Sequence, residues 1–186
     1  MKLIQQDSPR LKARITGWLY ALTIITGIFA QGFVAGRLIV SGDAAATANN
    51  ILTERSFFQL GFAVYLIEMV CNVVITSLFF ELLEPVSRSV SLAAAFLGLA
   101  GCAIKTCSRL FYITPLLLLD RADYLKIFTP EQVQSLALLF LRVNDQGAGI
   151  ALAFFGFYAL LKGYLIFRSA FIPRVLGVLS AFSGLG

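Results

Sequence analysis

Residues 98–112 read GLAGCAIKTCSRLFY, and they place Lys105 and Arg109 one helical turn apart inside an otherwise apolar helix. Such a helix is expected to span a membrane, because several apolar runs in the chain exceed the roughly 18 residues that mark a candidate span. A cation near the bilayer centre costs about 2.5 to 3.5 kcal/mol on insertion scales, so charged residues there usually face a bundle interior or a watery cavity. We therefore expect Lys105 and Arg109 to point into the protein, with partners on other helices.

The composition of the whole chain is that of a membrane protein. Of its 186 residues, 59% are hydrophobic and 13% are charged, whereas an average soluble domain has about 25% charged residues. The net charge of +5 is spread over loop ends, unlike the clustered basic face of a nucleic-acid reader, so no nucleic-acid partner is expected. Histidine is absent and the three cysteines form no C-x-x-C pair, which makes metal or haem cofactors unexpected and packed thiols expected.

Hydrophobic runs and helix-breaking residues divide the chain into four complete spans and an incomplete fifth. The complete spans are predicted at about 14–35, 56–83, 89–119 and 133–165, with a partial span at 174–186. The last run is shorter than the roughly 20 residues needed to cross a bilayer, so the chain is expected to be truncated inside its fifth span. We predict one all-α domain over residues 1–186, a polytopic helical bundle in the membrane.

The distribution of Lys and Arg predicts the orientation of the bundle. Eight of these residues fall on the side of the amino terminus and four on the opposite side. Because cytoplasmic loops carry the excess of positive charge, the amino terminus is predicted to be cytoplasmic.

Three local patterns add detail to this topology. Residues 43–52 have the composition of a short helix at the membrane surface, capped by Ser41 or Asp43. The run TPEQ at 129–132 predicts a capped start for the fourth long helix. Gly149, Gly156 and Gly163 repeat every seven residues, which predicts a closely packed helix seam.

Each of the four spans also carries one strongly polar residue at a similar depth. Counted from the cytoplasmic ends, these residues lie about 13 to 17 positions inside their helices, at 1.5 Å per position. They are Gln31, Glu68, Lys105 and Asp145. Since each lies on a stripe of small or polar residues at steps of three and four, we expect the stripes to converge on a common interior.

These residues define a candidate site with a net positive charge. Lys105, Arg109 and Arg142 contribute three positive charges, and Glu68 and Asp145 contribute two negative charges. At about 4 Å and an effective dielectric constant near 20, an ion pair gains on the order of 4 kcal/mol, comparable to the insertion cost of one ion. The predicted ligand-binding set is completed by Gln31 and Asn72.

Three kinds of function are compatible with such a cluster. It could be an inert ion-pair network that fixes helix register, with Arg142 and Asp145 paired within one helix. It could bind or translocate a small polar or anionic solute, or hold a lipid headgroup, and this is the interpretation we favour. An enzyme is less expected, because the sequence offers no nucleophile with an adjacent base, no Gly-rich phosphate loop and no metal-ligand set. Tyr20, Tyr65 and Tyr112 could donate hydrogen bonds to a ligand or pack at helix seams.

Three stretches of the chain resemble a bacterial multi-pass membrane family. They read GRLIVSGDAAATANNIL at 36–52, SLALLFL at 135–141 and GYLIFRSAFIPRVLGVL at 163–179. The family is known only as domain of unknown function 4386, and the resemblance extends over nearly the whole chain. It implies an inner-membrane protein with about six spans, embedded in the lipid bilayer. No activity, cofactor or catalytic residue comes with the resemblance.

Overall fold

The computed structural model of the chain describes residues 9–120, 125–169 and 172–184. Within these ranges the regular secondary structure is helical, and none of the described residues forms a strand. In chain order the helices are α1 (Pro9–Ile28), a π-helix (Phe29–Ala35), α2 (Gly36–Leu38), α3 (Ala44–Thr53), α4 (Arg55–Leu83), α5 (Arg88–Leu119), α6 (Pro130–Arg168) and α7 (Arg174–Ser183). The prediction of an all-α fold is confirmed.

Among the described residues, four helical stretches are long and apolar enough to cross a membrane. They are Leu11–Leu38, α4, α5 and α6, with 28, 29, 32 and 39 residues. At 1.5 Å per residue even the shortest is about 40 Å long, which exceeds the roughly 30 Å hydrocarbon core of a bilayer. Each predicted complete span is therefore confirmed as a helix of membrane-spanning length. By contrast, α7 has 10 residues and is about 15 Å long.

The helix starts follow the capping signals of the sequence. At the start of α3, Asp43 Oδ1 accepts a hydrogen bond from the Ala46 backbone N–H at 2.9 Å, so Asp43 rather than Ser41 is the cap. At the start of α6, the Thr129 N–H donates to Gln132 Oε1 at 2.9 Å, and the Gln132 N–H donates to Thr129 Oγ1 at 3.4 Å. These reciprocal bonds are the capping box that the TPEQ run predicts.

The chain forms two compact units, and each unit combines separate stretches that alternate along the sequence. Unit I comprises Met1–Thr23, Val70–Ala103 and Ile150–Gly186, and unit II comprises Ile24–Met69 and Ile104–Gly149. Each unit therefore takes part of every long helix. The assignment of the chain to a single domain stays a prediction.

Unit II contains an apolar core with aromatic residues at its centre. Phe58 and Tyr112 stack with their ring centroids 4.5 Å apart, and Tyr65 meets Tyr112 edge to face at 5.3 Å. Gly61 allows a close approach between α4 and the π-helix, because a Cβ at Gly61 would lie only 2.7 Å from Val34 Cγ1. The π-helix is thereby fixed beside Tyr65, which takes part in the candidate site.

Unit I packs α6 against α7 through glycines. A Cβ at Gly163 would lie 2.6 Å from the carbonyl oxygen of Gly177, and a Cβ at Gly156 would lie 2.9 Å from that of Gly184. The predicted glycine seam is confirmed at these two positions of α6. It is wrong at Gly149, where a Cβ would meet nothing within 4 Å, because Gly149 is exposed, whereas the nearby Gly147 packs against Ser108 of α5.

Candidate functional site

Six of the seven predicted site residues lie in unit II, and Asn72 lies in unit I. The six are Gln31, Glu68, Lys105, Arg109, Arg142 and Asp145. Glu68 and Arg109 are buried and Lys105 is half-buried, whereas Arg142, Asp145 and Gln31 are exposed. In unit I, the backbone carbonyl of Asn72 accepts a hydrogen bond from the Thr76 hydroxyl at 2.8 Å. The structure thus keeps only part of the predicted set in the interior of unit II.

An ion pair between α4 and α5 forms one half of the site. Lys105 Nζ lies 2.9 Å from Glu68 Oε1, and the side chains are 19% and 10% exposed, respectively. The pair joins two of the residues that the sequence places at a common depth. Since each ion offsets the insertion cost of the other, the pair explains how both charges are tolerated in an apolar helix.

Arg109 forms the other half, and its neighbours are neutral groups. Its side chain is only 3% exposed. Its Nη1 donates to Asn144 Oδ1 at 3.0 Å, and the guanidinium carbon lies 3.6 Å from the centroid of the Tyr65 ring. Nε donates to no acceptor, and no carboxylate of the described ranges lies within 4.0 Å of the guanidinium. Arg109 therefore carries a buried positive charge whose neighbours are a ring face and an amide.

Asn144 connects this guanidinium to a carboxylate. Asn144 is 3% exposed, and its Nδ2 donates to Asp145 Oδ1 at 3.0 Å. Asn144 was not among the predicted site residues, because on α6 only the charged residues Arg142 and Asp145 were chosen. One signal was available, since Asn144 follows the buried Leu141 by three positions and so lies on the same helix face.

The predicted ion pair between Arg142 and Asp145 is wrong. Arg142 is exposed, and it joins no ion pair in the part of the chain that the structure describes. Arg142 precedes Asn144 by two positions, which is about 200° around a helix. Because Asn144 faces the interior, Arg142 faces outward.

The π-helix brings Gln31 to the same region of unit II. Tyr65 donates its hydroxyl proton to Gln31 Oε1 at 2.7 Å. The Gly36 N–H bonds to the carbonyl of Gln31, the i→i+5 pattern of a π-helix, a feature often found at functional sites. Tyr65 thus contacts Gln31 through its hydroxyl and Arg109 through its ring.

Among the described residues of unit II, two buried side-chain polar atoms have no hydrogen-bond partner. They are Arg109 Nε and the hydroxyl of Tyr112, whose side chain is 1% exposed. A buried donor left without an acceptor costs about 1 to 3 kcal/mol, and more when it is charged. A group that supplies acceptor oxygens is the chemical complement of such atoms.

The cysteines and the potential metal ligands of the described residues show no comparable arrangement. Within the described ranges, no group of three or more His, Cys, Asp or Glu side chains could hold a metal ion. All three cysteines are thiols, and the prediction that they are packed holds for Cys71 and Cys102 and is wrong for the exposed Cys107. The arrangement in unit II can therefore offer positive charge, hydrogen-bond donors and aromatic surface.

Comparison with known proteins identifies the family. A family model described as Domain of unknown function (DUF4386) matches residues 15–186. Because the match covers most of the chain, the protein belongs to this family, as the resemblance of its sequence implied. Searches of curated proteins and of solved structures found no match.

Proposed function

We propose that this member of the DUF4386 family binds or translocates a small polar or anionic solute at Arg109 and Lys105. We place it in the bacterial inner membrane, as a multi-pass protein with a cytoplasmic amino terminus. The observation that carries the proposal is the state of Arg109, which is 3% exposed and has an Nε without an acceptor. A carboxylate or phosphate oxygen is the usual partner of such a guanidinium.

The distribution of charge explains why the ligand should be anionic. Lys105 is paired with Glu68 at 2.9 Å, so the uncompensated positive charge of the buried cluster belongs to Arg109. The nearest acidic group along the hydrogen-bond chain is Asp145, which is exposed and is reached only through the amide of Asn144. A ligand oxygen at Arg109 Nε would add the missing charge complement.

A structural role is the alternative, and a specific observation favours it. The Lys105–Glu68 pair is closed, and the Tyr65 ring covers one face of the Arg109 guanidinium at 3.6 Å. A desolvated cation–π contact is worth about 2 kcal/mol or more, close to the insertion cost of one cation. In that case the cluster would hold α4, α5 and α6 in register and would take no ligand.

Thermal unfolding in mild detergent distinguishes the two functions. Parent protein would be compared with Arg109→Gln in the presence of acetate, benzoate, phosphate or phosphatidylglycerol, with sodium chloride at the same ionic strength as the reference. A ligand at one hundred times its Kd stabilises the native state by about 2.7 kcal/mol. We expect one class of anion to raise the Tm of the parent and to lose that effect in Arg109→Gln.

Arg14→Gln is the matched control for this experiment. Arg14 is exposed in unit I, and the substitution makes the same change in charge, so the anion should still stabilise this variant. If no anion stabilises the parent and Arg109→Gln only lowers the Tm, the binding proposal is overturned and the structural role stands.

A further inference from the structure

A second buried cation lies in unit I, at Lys162. Lys162 falls within the fourth predicted span and is only 4% exposed. Its ammonium nitrogen lies 4.9 Å from the ring centroid of Tyr20 and 4.8 Å from those of Phe79 and Tyr158. It also donates a hydrogen bond to the Tyr20 hydroxyl at 2.9 Å. We call the three rings the aromatic box.

The aromatic box holds Lys162 without a carboxylate. No acidic side chain lies within 4.0 Å of Lys162 Nζ in the residues that the structure describes. Aromatic faces carry negative electrostatic potential and the Tyr20 hydroxyl supplies an acceptor oxygen, so this group of rings attracts a cation and repels an anion. This arrangement is the one by which proteins recognise quaternary ammonium ligands.

The box is full while Lys162 occupies it. The space beside the box is lined by Phe79, Tyr158 and Lys162, among others. It has no room for a water molecule. A second cation can therefore enter only if the ammonium of Lys162 leaves.

Lys162 lies close to the end of α6. It lies six residues before Arg168, where α6 ends, which is about 9 Å along the helix axis. A lysine at this distance can extend its four-carbon stem and place its ammonium at the membrane interface. Because the displaced ammonium would regain water there, the exchange does not require a bare charge in lipid.

We propose that the aromatic box is a binding site for small organic ammonium ions and that Lys162 is the resident occupant which such an ion displaces. The shared chemistry is a methylated or alkylated ammonium, either as a free solute or as the headgroup of a phospholipid. The site belongs to unit I and takes a cation, so it is independent of the anion site proposed for unit II.

Amine labelling of the native protein tests the displacement directly. The protein in mild detergent would be treated briefly with an acetylating N-hydroxysuccinimide ester, and acetylation of Lys162 would be quantified by mass spectrometry. We expect saturating tetramethylammonium chloride to raise the acetylation rate of Lys162 at least fivefold over sodium chloride at the same ionic strength. The neutral isostere 3,3-dimethyl-1-butanol should have no such effect, and the acetylation of Lys105 should stay constant.

The source of the ammonium is decided by a lipid comparison in the same assay. If mixed micelles with phosphatidylcholine raise the acetylation of Lys162 and those with phosphatidylglycerol do not, a lipid headgroup enters the box. If only free tetramethylammonium does so, the ligand is a solute. Unchanged acetylation of Lys162 under both conditions would overturn the proposal.

Two variants give a second, independent measurement. Lys162→Ala removes the tethered competitor, so tetramethylammonium should bind at least tenfold more tightly than it binds the parent and should raise the Tm. Lys162→Met refills the box with an apolar chain of similar length and should show no gain. If tetramethylammonium stabilises the alanine variant no more than the methionine variant, the box does not bind ammonium. The labelling assay decides the matter if Lys162→Ala fails to fold.

Discussion

The ion pair between Glu68 and Lys105 allows a quantitative test of how unit II tolerates its charges. Glu68→Gln leaves the lysine in place without its counter-ion, and Lys105→Met does the converse. The double variant removes both ions. These three variants form a double-mutant cycle, which separates the pairwise interaction from the cost of each buried ion.

The expected magnitudes follow from the geometry of the pair. With 2.9 Å between Lys105 Nζ and Glu68 Oε1, the attraction at an effective dielectric constant of 20 is about 6 kcal/mol. Insertion of each ion costs about 3 kcal/mol. Each single variant loses the attraction and recovers one insertion cost, so it should be destabilised by about 3 kcal/mol, in line with other broken buried pairs. In the double variant the two recovered insertion costs offset the lost attraction, so its free energy of unfolding should lie within about 1 kcal/mol of that of the parent.

Equilibrium unfolding in mixed micelles, followed by circular dichroism, would measure these free energies. The matched control is Glu84 and Arg88, which pair within one chain segment at 3.3 Å with side chains that are 40% and 80% exposed. Removal of either partner there should cost only about 0.3 to 0.5 kcal/mol. If the double variant of the buried pair loses as much stability as the two single variants summed, Glu68 and Lys105 do not compensate each other's burial.

Two further predictions concern the packing around the sites. Gly163→Ala should lower the free energy of unfolding by about 1 to 3 kcal/mol, because its Cβ would lie 2.6 Å from the Gly177 carbonyl oxygen. Gly149→Ala is the control: its Cβ would meet nothing within 4 Å, so it should be neutral or stabilising by up to about 1 kcal/mol. Equal losses of unfolding free energy in the two variants, measured in the same titration, would contradict close packing at Gly163. Tyr65→Phe removes the hydroxyl that donates to Gln31 and should cost about 0.5 to 1.5 kcal/mol in that titration. No measurable change would show that the π-helix does not depend on this bond.

The helices of this protein were predictable because local signals determine them. Long apolar runs predict the four membrane-length helices, and the TPEQ run predicts the start of α6 through a capping box that the structure contains. Asp43 likewise caps α3 from within the residue range expected for that helix. The π-helix at Phe29–Ala35 was not predicted, since its sequence has no feature that distinguishes i→i+5 bonding from an ordinary helix.

The candidate site was predictable only in part, because periodicity identifies a helix face but not what covers it. Arg142 and Gly149 share the seven-residue spacing of Gly156 and Gly163. The structure packs Gly156 and Gly163 against α7, whereas Arg142 is exposed and Gly149 has open space beside it. The spacing is thus the same along α6, but the neighbouring element changes from one turn to the next.

From the sequence, only carboxylates were predicted as partners of the buried cations. Arg109 and Lys162 are 3% and 4% exposed, and both are held against aromatic rings. Because an aromatic ring is neutral, burying it does not cost the free energy of removing an ion from water. It also leaves the positive charge of the cation unneutralised, as a carboxylate would not. One tyrosine can supply both a ring face and a hydroxyl, as Tyr65 does for Arg109 and Gln31.

This way of holding a cation leads us to expect opposite ligand preferences in the two units. At Arg109 a single ring lies against the guanidinium at 3.6 Å, and the N–H groups in the guanidinium plane remain directed away from that ring. The anion proposed for this site would contact those N–H groups in the guanidinium plane, away from the negative ring face. At Lys162 the centroids of three rings lie 4.8 to 4.9 Å from one nitrogen, so the negative potential of the rings favours a cation over an anion. The number of rings around each cation, rather than the sign of its charge, therefore sets which ion each unit should bind.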